Sequence, residues 1–301
     1  MALIGLPNVG KSTLLNALVG ERLSIVTSKA QTTQKKLLGI YSDDSHQAVF
    51  IDTPGLLEPR YKLQVSMREE ALSALDDADI VVAVVDAAYR PSIEWVQEFG
   101  PGLRCPKLLC INKCDLVIQR DMETLQAGLV GPVEGVGRRG AGAWGGVFHT
   151  DAVTGPGVDA LRAGILATLP ESPPFYPTEE LSNAPVRDFV AEMIRETCLE
   201  ELEQEVPYSI AIQVEQFKER GAGKPTYIEC VIYVERESQK GIVVGKGGRT
   251  IRTIGARSRA KIEGFLDQPV YLELRVKVLA NWRRKSNQLR LLGFRVPAEE
   301  T

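Results

Sequence analysis

A glycine loop at residues 5–12 constrains the fold of this chain more than any other stretch of its sequence. The loop reads GLPNVGKS, which fits the pattern G-x-x-x-x-G-K-[ST], and it lies between a short apolar strand and a helical pattern of leucines. In such a loop the backbone N–H groups surround phosphates, the lysine reaches the β- and γ-oxygens, and the hydroxyl binds Mg²⁺. The sequence therefore predicts an α/β P-loop domain with a mostly parallel doubly wound sheet, whose phosphate-binding residues are Asn8, Val9, Gly10, Lys11, Ser12 and Thr13.

A second motif, Asp52-Thr53-Pro54-Gly55, follows the apolar strand at residues 48–51. In a βα pattern, the carboxyl end of a strand lies beside the crevice that receives the ligand. We therefore expect Asp52 to hold Mg²⁺ through water and the Gly55 N–H to sense the γ-phosphate.

A third motif, Asn112-Lys113-Cys114-Asp115, follows the strand at residues 108–111 and selects the base. The Asp115 carboxylate can accept hydrogen bonds from guanine N1–H and the 2-amino group. Adenine offers neither donor there, and a site built to form hydrogen bonds rejects a ligand that leaves them unpaired. The sequence thus predicts a GTP site, with Asn112 bracing the loops and the Lys113 stem covering the base.

The three motifs, in this order and at strand ends, resemble those of the translation-factor-related small GTPases. The resemblance implies that the stretch QTTQ at residues 31–34 is the first switch, whose second threonine completes the Mg²⁺ shell in the GTP state. The expected Mg²⁺ residues are Ser12, Thr33 and Asp52. The expected catalytic residues are Lys11, Thr33 and Gly55.

Two positions bear on the rate of hydrolysis. Leu56 stands where Ras-like enzymes place the glutamine that orients the attacking water, so slow intrinsic hydrolysis is expected. In related GTPases with the same Pro-Asn loop, the asparagine that matches Asn8 helps to bind K⁺ near the phosphates. The resemblance therefore implies K⁺ as well as GTP and Mg²⁺.

The guanine-specificity loop departs from the pattern of the group, which usually reads Ser-Ala. Here the matching residues are Asp151 and Ala152. We expect the Ala152 N–H to reach guanine O6, while Asp151 replaces a hydroxyl with a charge. The preceding stretch, residues 131–146, contains seven glycines and is predicted to be a flexible surface insertion.

The charge of the chain is unevenly distributed. Its formal net charge is −3, but residues 240–295 contain fourteen Lys and Arg against three acids, which is +11 locally and leaves −14 for the rest. A basic region on an acidic body indicates a polyanionic partner for one domain only.

The proline-rich stretch LPESPPFYPTEELSNAP at residues 169–185 marks a domain boundary. We predict a nucleotide domain at residues 1–170, a linker at residues 171–185 and a second domain at residues 186–301. The second domain begins with a helical pattern and continues with strands of alternating hydrophobicity, which predicts a sheet with one covered face.

A second glycine loop, Gly245-Lys246-Gly247-Gly248, lacks the Lys-[Ser/Thr] ending of a phosphate loop. It fits the G-x-x-G loop that joins two helices in an α-β-β-α-α-β module, the type II KH fold, which binds single-stranded RNA. The sequence thus predicts an α+β RNA-binding domain whose contact residues are Ile242, Val243, Gly245, Lys246, Gly247, Gly248, Arg249 and Arg252.

A GTPase domain followed by a type II KH domain resembles the Era GTPases, and the likeness covers nearly the whole chain. It includes the stretches EVPY at residues 205–208, SQKG at 238–241 and NWR at 281–283. The resemblance implies a monomeric assembly factor that binds small-subunit ribosomal RNA near its 3′ end and the immature small ribosomal subunit.

An alternative remains open at this point: a signalling or membrane-associated GTPase whose basic domain binds anionic lipid. The sequence contains no apolar run long enough for a transmembrane segment, which leaves peripheral membrane contact as the form of that alternative. No signal peptide or Arg/Ser-rich presequence is visible in the sequence. We therefore expect the bacterial cytoplasm or, if such a segment is missing, the plastid stroma or mitochondrial matrix.

Overall fold

The computed structural model describes residues 1–27, 29, 32–99, 105–130, 144–221 and 223–296. Gln31 of the first switch and residues 131–143 of the glycine-rich stretch lie outside these ranges. The chain divides into two compact units: residues 1–58 with 67–183, and residues 59–66 with 184–301.

The first unit is an α/β fold around one sheet. Its strands are β1 (Ala2–Ile4), β2 (Leu37–Ser42), β3 (Gln47–Asp52), β4 (Val81–Asp86), β5 (Lys107–Asn112) and β6 (Val147–Thr150). Its helices are α1 (Lys11–Val19), α2 (Lys62–Asp76, whose first turn groups with the second unit), α3 (Arg90–Phe99), α4 (Gln119–Val130) and α5 (Val158–Leu166). The strand order is β2-β3-β1-β4-β5-β6, with β2 antiparallel to β3 and the other pairs parallel. The predicted mostly parallel, doubly wound sheet is confirmed.

The central strands of this sheet are covered on both faces. Every residue of β4 and β5 is buried, as expected for parallel strands whose sequences are nearly continuous apolar runs. Leucines of α1 pack with Leu161 and Ile165 of α5 on one face, while Ala71, Val96 and Met122 of α2, α3 and α4 pack on the other. This packing fixes the strand ends from which the motifs of the nucleotide site project.

The proline-rich stretch is not a free linker over its whole predicted length. Gln47 accepts hydrogen bonds from the N–H groups of Phe175 and Tyr176 and donates to the Tyr176 carbonyl. Farther along, the Ile40 N–H donates to the Leu181 carbonyl at 2.8 Å. Residues 175–182, here called the edge strip, therefore lie along β2 and belong to the first unit.

The second unit has the predicted α-β-β-α-α-β order. It contains α6 (Val186–Glu201), β7 (Ala211–Lys218), β8 (Thr226–Val234), α7 (Glu237–Val244), α8 (Arg249–Leu266) and β9 (Val270–Val278), followed by α9 (Ser286–Leu291). Strands β7 and β8 are antiparallel, and β8 and β9 are parallel. Apolar residues at alternate positions of β8, from Ile228 to Val234, form one core with Ile254 and Ile262 of α8. The type II KH topology is confirmed.

No helix in the described part of the chain is long and apolar enough to cross a membrane.

Candidate functional site: a phosphate-binding loop and a G-x-x-G groove

The phosphate loop turns sharply between β1 and α1. Gly10 has φ 98°, and a Cβ added there would lie 2.3 Å from the Asn112 side-chain nitrogen, so the close approach of the two loops requires glycine. The Lys11 side chain is 6% exposed and donates to the carbonyls of Gly5 and Leu6 at 3.2 and 3.0 Å. Burial lowers the pKa of the Lys11 ammonium to about 8, against the opposing attraction of Asp52. The hydrogen-bond acceptors of this buried lysine are thus carbonyl groups of the phosphate loop itself.

The three predicted Mg²⁺ residues meet at Asp52. Its Oδ2 atom accepts hydrogen bonds from the Ser12 and Thr33 hydroxyls at 2.7 and 3.2 Å, and these two hydroxyls lie 2.8 Å apart. The Asp52 Oδ1 atom is buried and, among the described residues, has no hydrogen-bond partner. Desolvation raises the pKa of the Asp52 carboxyl, although the neighbouring hydroxyls and Lys11 oppose this shift. Hydroxyl and carboxylate oxygens are the donors that Mg²⁺ prefers, so these residues fit the ion.

A third hydroxyl, which the sequence did not identify, also reaches Asp52. Ser24 donates to Oδ2 at 3.0 Å and is 6% exposed. Ser24 precedes Asp52 by 28 residues in the sequence and lies outside every motif.

A cavity of about 330 Å³ opens beside these groups. Its walls come from the phosphate loop, from residues 25–27 and 32–33, and from Gly55 and Lys113. A Cβ added to Gly55 would lie 2.6 Å from Pro7, so glycine lets the backbone of the second motif approach the phosphate loop. The Leu56 side chain is buried in the core rather than in the cavity, and its N–H donates to the Gly5 carbonyl.

Asn112 joins three loops. Its Nδ2 donates to the Val9 carbonyl at 2.9 Å, and its Oδ1 accepts from the Thr150 hydroxyl and the Ala152 N–H at 3.0 and 3.1 Å. The N–H expected to reach guanine O6 is therefore directed at Asn112 in this structure. Asp115 is exposed in the middle of a short 3₁₀ turn, Cys114–Leu116.

The carboxylate of Asp151 caps a turn. Its carboxylate accepts hydrogen bonds from the N–H groups of Val153 and Thr154 and from the Thr154 hydroxyl. These bonds, that of the hydroxyl above all, lower the pKa of the Asp151 carboxyl. The aspartate thus fixes the loop backbone next to Ala152 in the way Asp side chains commonly stabilise turns.

The G-x-x-G loop of the second unit has three glycines with positive φ. They are Gly245 (φ 74°), Gly247 (φ 60°) and Gly248 (φ 76°). A Cβ at Gly245 would lie 2.2 Å from the Thr250 hydroxyl, whereas one at Gly247 would meet open space. Arg252 donates to the Gly248 carbonyl at 3.0 Å and so folds back on the loop.

A groove of about 370 Å³ lies between α8 and β9, and its lining on α8 begins at Ile251, shortly after the G-x-x-G loop. The α8 side carries Ile251, two small residues and two arginines, and the β9 side carries Leu272 and Leu274. Ile242 is 50% exposed, but Val243 is fully buried in the core of the unit. The prediction that Val243 contacts RNA is therefore wrong, because the one-residue step along α7 rotates its side chain by about 100°, away from Ile242 and into the core. The apolar floor comes instead from α8 and β9.

Some cationic side chains of the second unit form ion pairs, and others do not. Arg257 pairs with Glu200 and Glu201, and Lys261 pairs with Glu196 and Glu200, on the α6–α8 face. Within the described ranges no ion pair engages Lys246 or Arg249 beside the glycine loop. Lys246 and Arg249 thus offer positive charge to a polyanion at the G-x-x-G loop.

Comparison with known proteins agrees with both halves of this description. Residues 1–113 match the family model described as 50S ribosome-binding GTPase, and residues 205–283 match the model described as KH domain. The fold and the site together define a P-loop GTPase joined to a KH domain.

Relatives that match along the whole chain narrow the class. The chain is 38% identical over 296 residues to GTPase Era of Carboxydothermus hydrogenoformans, covering 98% of this chain and 96% of the relative. It is 40% identical over 303 residues to the chloroplastic GTPase ERA1 of Zea mays, covering 98% of this chain and 70% of the relative. A crystal structure of Era with MgGDPNP and nucleotides 1506–1542 of 16S ribosomal RNA matches with a TM-score of 0.89, 36% identity and coverage of 97% of each chain. Aquifex aeolicus Era bound to GDP·AlF₄⁻ matches with a TM-score of 0.88, 35% identity and the same coverage. The chain belongs to the Era family of GTPases.

Proposed function

We propose that this GTPase binds GTP and Mg²⁺ at the phosphate loop, hydrolyses GTP slowly, and binds small-subunit ribosomal RNA near its 3′ end in the G-x-x-G groove. Its role would be in assembly of the small ribosomal subunit, as a monomer. The observation that carries the first part is the buried Asp52 Oδ1 atom with no partner, next to the Ser12 and Thr33 hydroxyls.

In the proposed site the protein chiefly positions the phosphates and balances their charge. Lys11 would exchange its carbonyl partners for phosphate oxygens, while Ser12, Thr33 and Asp52 would hold Mg²⁺. The ion, when bound, would neutralise charge on the phosphate oxygens. The Gly55 N–H would meet the γ-phosphate, and the missing Cβ lets this backbone approach Pro7 of the phosphate loop.

Slow hydrolysis follows from the position of Leu56. Its side chain packs in the core and carries no polar group that could orient water. We propose that K⁺ bound near Asn8, which lines the cavity, supplies part of the missing charge stabilisation. Equal rates of GTP hydrolysis in K⁺ and Na⁺ buffers would exclude this role for the ion.

Two features support the proposal for RNA: the groove between α8 and β9, and the positive charge at the glycine loop. An unstacked base requires an apolar floor, which Ile251, Leu272 and Leu274 provide, and the phosphates require close cations, which Lys246 and Arg249 provide. In the related Era crystal structure the bound RNA is nucleotides 1506–1542 of 16S ribosomal RNA. We carry that target over to this chain, with the bacterial cytoplasm or the interior of an organelle as the compartment.

A titration tests the RNA proposal. The ligand is a short single strand copying the small-subunit rRNA 3′ end, with a scrambled strand of equal composition as control, at fixed salt because phosphate contacts make affinity salt-dependent. The titration is run with GTP, with GDP and without nucleotide. We expect the native strand to bind more tightly than the scrambled one, and most tightly with GTP. Equal binding of both strands, together with stronger binding to anionic vesicles, would favour the lipid alternative.

A second experiment tests the link to assembly. The protein with a non-hydrolysable GTP analogue is sedimented with immature small subunits and, separately, with mature ones. We expect it to co-sediment with the immature particle. Absence from both particles would leave an RNA-binding GTPase with another target.

A further inference from the structure

A short loop between α1 and the first switch is held by one side chain, that of Asn16. The Asn16 Oδ1 atom accepts hydrogen bonds from the N–H groups of Leu23 and Ser24 at 2.9 and 2.8 Å. Its Nδ2 atom donates to the Ser24 carbonyl at 2.8 Å. Because Asn16 lies on the helix that follows the phosphate loop, Ser24 is fixed relative to that helix at both its N–H and its carbonyl.

This clamp directs the Ser24 hydroxyl at the proposed Mg²⁺ site. Ser24 is 6% exposed, and its hydroxyl donates to Asp52 Oδ2 at 3.0 Å. The segment after Ser24 carries Thr33, so Ser24 lies at the base of the first switch. The hydroxyl is thus held from α1 rather than by the switch.

The three hydroxyls on Asp52 differ in what a bound ion would do to them. Ser12 and Thr33 are themselves expected to bind Mg²⁺, and their contacts with the carboxylate are therefore subject to exchange. Ser24 follows no motif of ligand residues, and its backbone is committed to Asn16. Its hydroxyl can keep the carboxylate in one orientation while the other two turn to the ion.

We propose that Ser24 is a positioning residue that orients the Asp52 carboxylate for Mg²⁺, and that Asn16 acts through it. The inference rests on the proposed Mg²⁺ site. Groups that orient metal ligands by hydrogen bonds typically change metal affinity by about 10- to 100-fold when removed. The expected effect of Ser24→Ala lies near the lower limit, about tenfold, because a neutral hydroxyl is lost.

The test is the release of a fluorescent GDP analogue, measured over a series of Mg²⁺ concentrations and in EDTA. We expect Ser24→Ala to raise the Mg²⁺ concentration needed for half-maximal slowing of release by about tenfold. Its release rate in EDTA should equal that of the wild type. Asn16→Ala should shift the Mg²⁺ dependence in the same direction, and Ser45→Ala, an exposed serine of the same unit, should shift nothing.

The outcomes separate the inference from the function on which it rests. A wild-type protein that releases nucleotide equally fast with Mg²⁺ and with EDTA would refute the Mg²⁺ site itself. A wild-type response that Ser24→Ala leaves unchanged would refute the role of Ser24 alone. Faster release from Ser24→Ala by the same factor with and without Mg²⁺ would show that Ser24 only shapes the pocket, which also overturns the proposal.

Discussion

The Lys113 ammonium lies 2.6 Å from the Asp86 carboxylate and 2.7 Å from the Asn8 carbonyl oxygen. Asp86 ends β4, Lys113 directly follows β5, and Asn8 lies in the loop after β1, so one side chain ties together the ends of three neighbouring strands. Asp86 also accepts a hydrogen bond from the Ala88 N–H at 2.9 Å, which orients its carboxylate. The stem of Lys113 is therefore held at the position where it is expected to cover the base.

Asp86→Asn is expected to weaken GTP and GDP binding alike, by about fivefold. The substitution keeps an acceptor for the Ala88 N–H but faces an amide toward the lysine. A hydrogen bond to a charged group contributes about 1.5–3 kcal/mol, and the partial exposure of Lys113 reduces this to about 1 kcal/mol. Affinity is measured with both nucleotides, and Glu94→Gln, which removes an exposed ion pair with Arg90, is the control. Unchanged affinity for both nucleotides would show that the lysine needs no such support.

Asp115→Asn is expected to shift base preference from guanine toward xanthine. The amide can accept only one of the two guanine donors and presents its own donor to the other. Xanthine has a carbonyl at position 2, which accepts that donor, and the loss for GTP should reach about 100-fold or more. Competition between GTP and XTP measures the change, with Asp121→Asn on the exposed side of α4 as control. Retained GTP selectivity would contradict the role assigned to Asp115.

Gly247→Asp is expected to remove RNA binding and leave GTP binding intact. Position 247 has φ 60°, which Asp tolerates better than most residues, and an added Cβ meets open space, so the unit should remain folded. The new carboxylate would repel phosphate where the backbone must approach closely. We expect at least a tenfold loss of affinity at physiological salt. Gly264→Asp makes the same change near the other end of α8 and should lower affinity much less.

GTP affinity is expected to fall as pH rises above about 8. The pKa of Lys11 in the free protein is lowered to about 8 by burial, whereas contact with phosphate would favour the protonated form. Below pH 8 the lysine is charged in both states, so affinity stays level. Above it binding must take up a proton, and affinity should fall by up to about tenfold per pH unit.

Lys11→Arg separates this effect from deprotonation of guanine itself, because arginine stays charged throughout the range. The variant should bind more weakly at every pH but lose affinity less steeply between pH 8 and 9. Dissociation constants at pH 7, 8 and 9 suffice for the comparison. Parallel curves for the two proteins would assign the whole decline to the base and none to Lys11.

The sequence identified groups that lie in local motifs and missed those that act across the fold. The Ser12 and Thr33 hydroxyls meet at the Asp52 carboxylate because Ser12 lies in the first turn of α1, Asp52 ends β3 and Thr33 lies in the loop before β2, each within a recognisable motif. Ser24 and Asp86 reach the site over separations of 28 and 27 residues, through contacts that no local pattern encodes.

The prediction for Val243 and the predicted extent of the linker differ from the structure for the same reason: both depend on packing between distant parts of the chain. The sequence predicts Val243 in the groove because this residue is apolar and lies near the glycine loop, but the packing of α7 on the core decides which way its side chain faces. The floor of the groove required knowing that α8 lies beside β9. Residues 175–182 have the composition of a linker, and the partner that orders part of them is the distant Gln47.

The edge strip has a consequence for self-association. Strand β2 is the outermost strand of its sheet, and an uncovered outer strand is a template for pairing with another chain. The Leu181 carbonyl and the Ser182 hydroxyl engage the Ile40 N–H and the Leu38 carbonyl, so the strip acts as a built-in blocking segment. A first unit cut at residue 170 would leave those two backbone groups open to edge-to-edge pairing with the β2 strand of another copy.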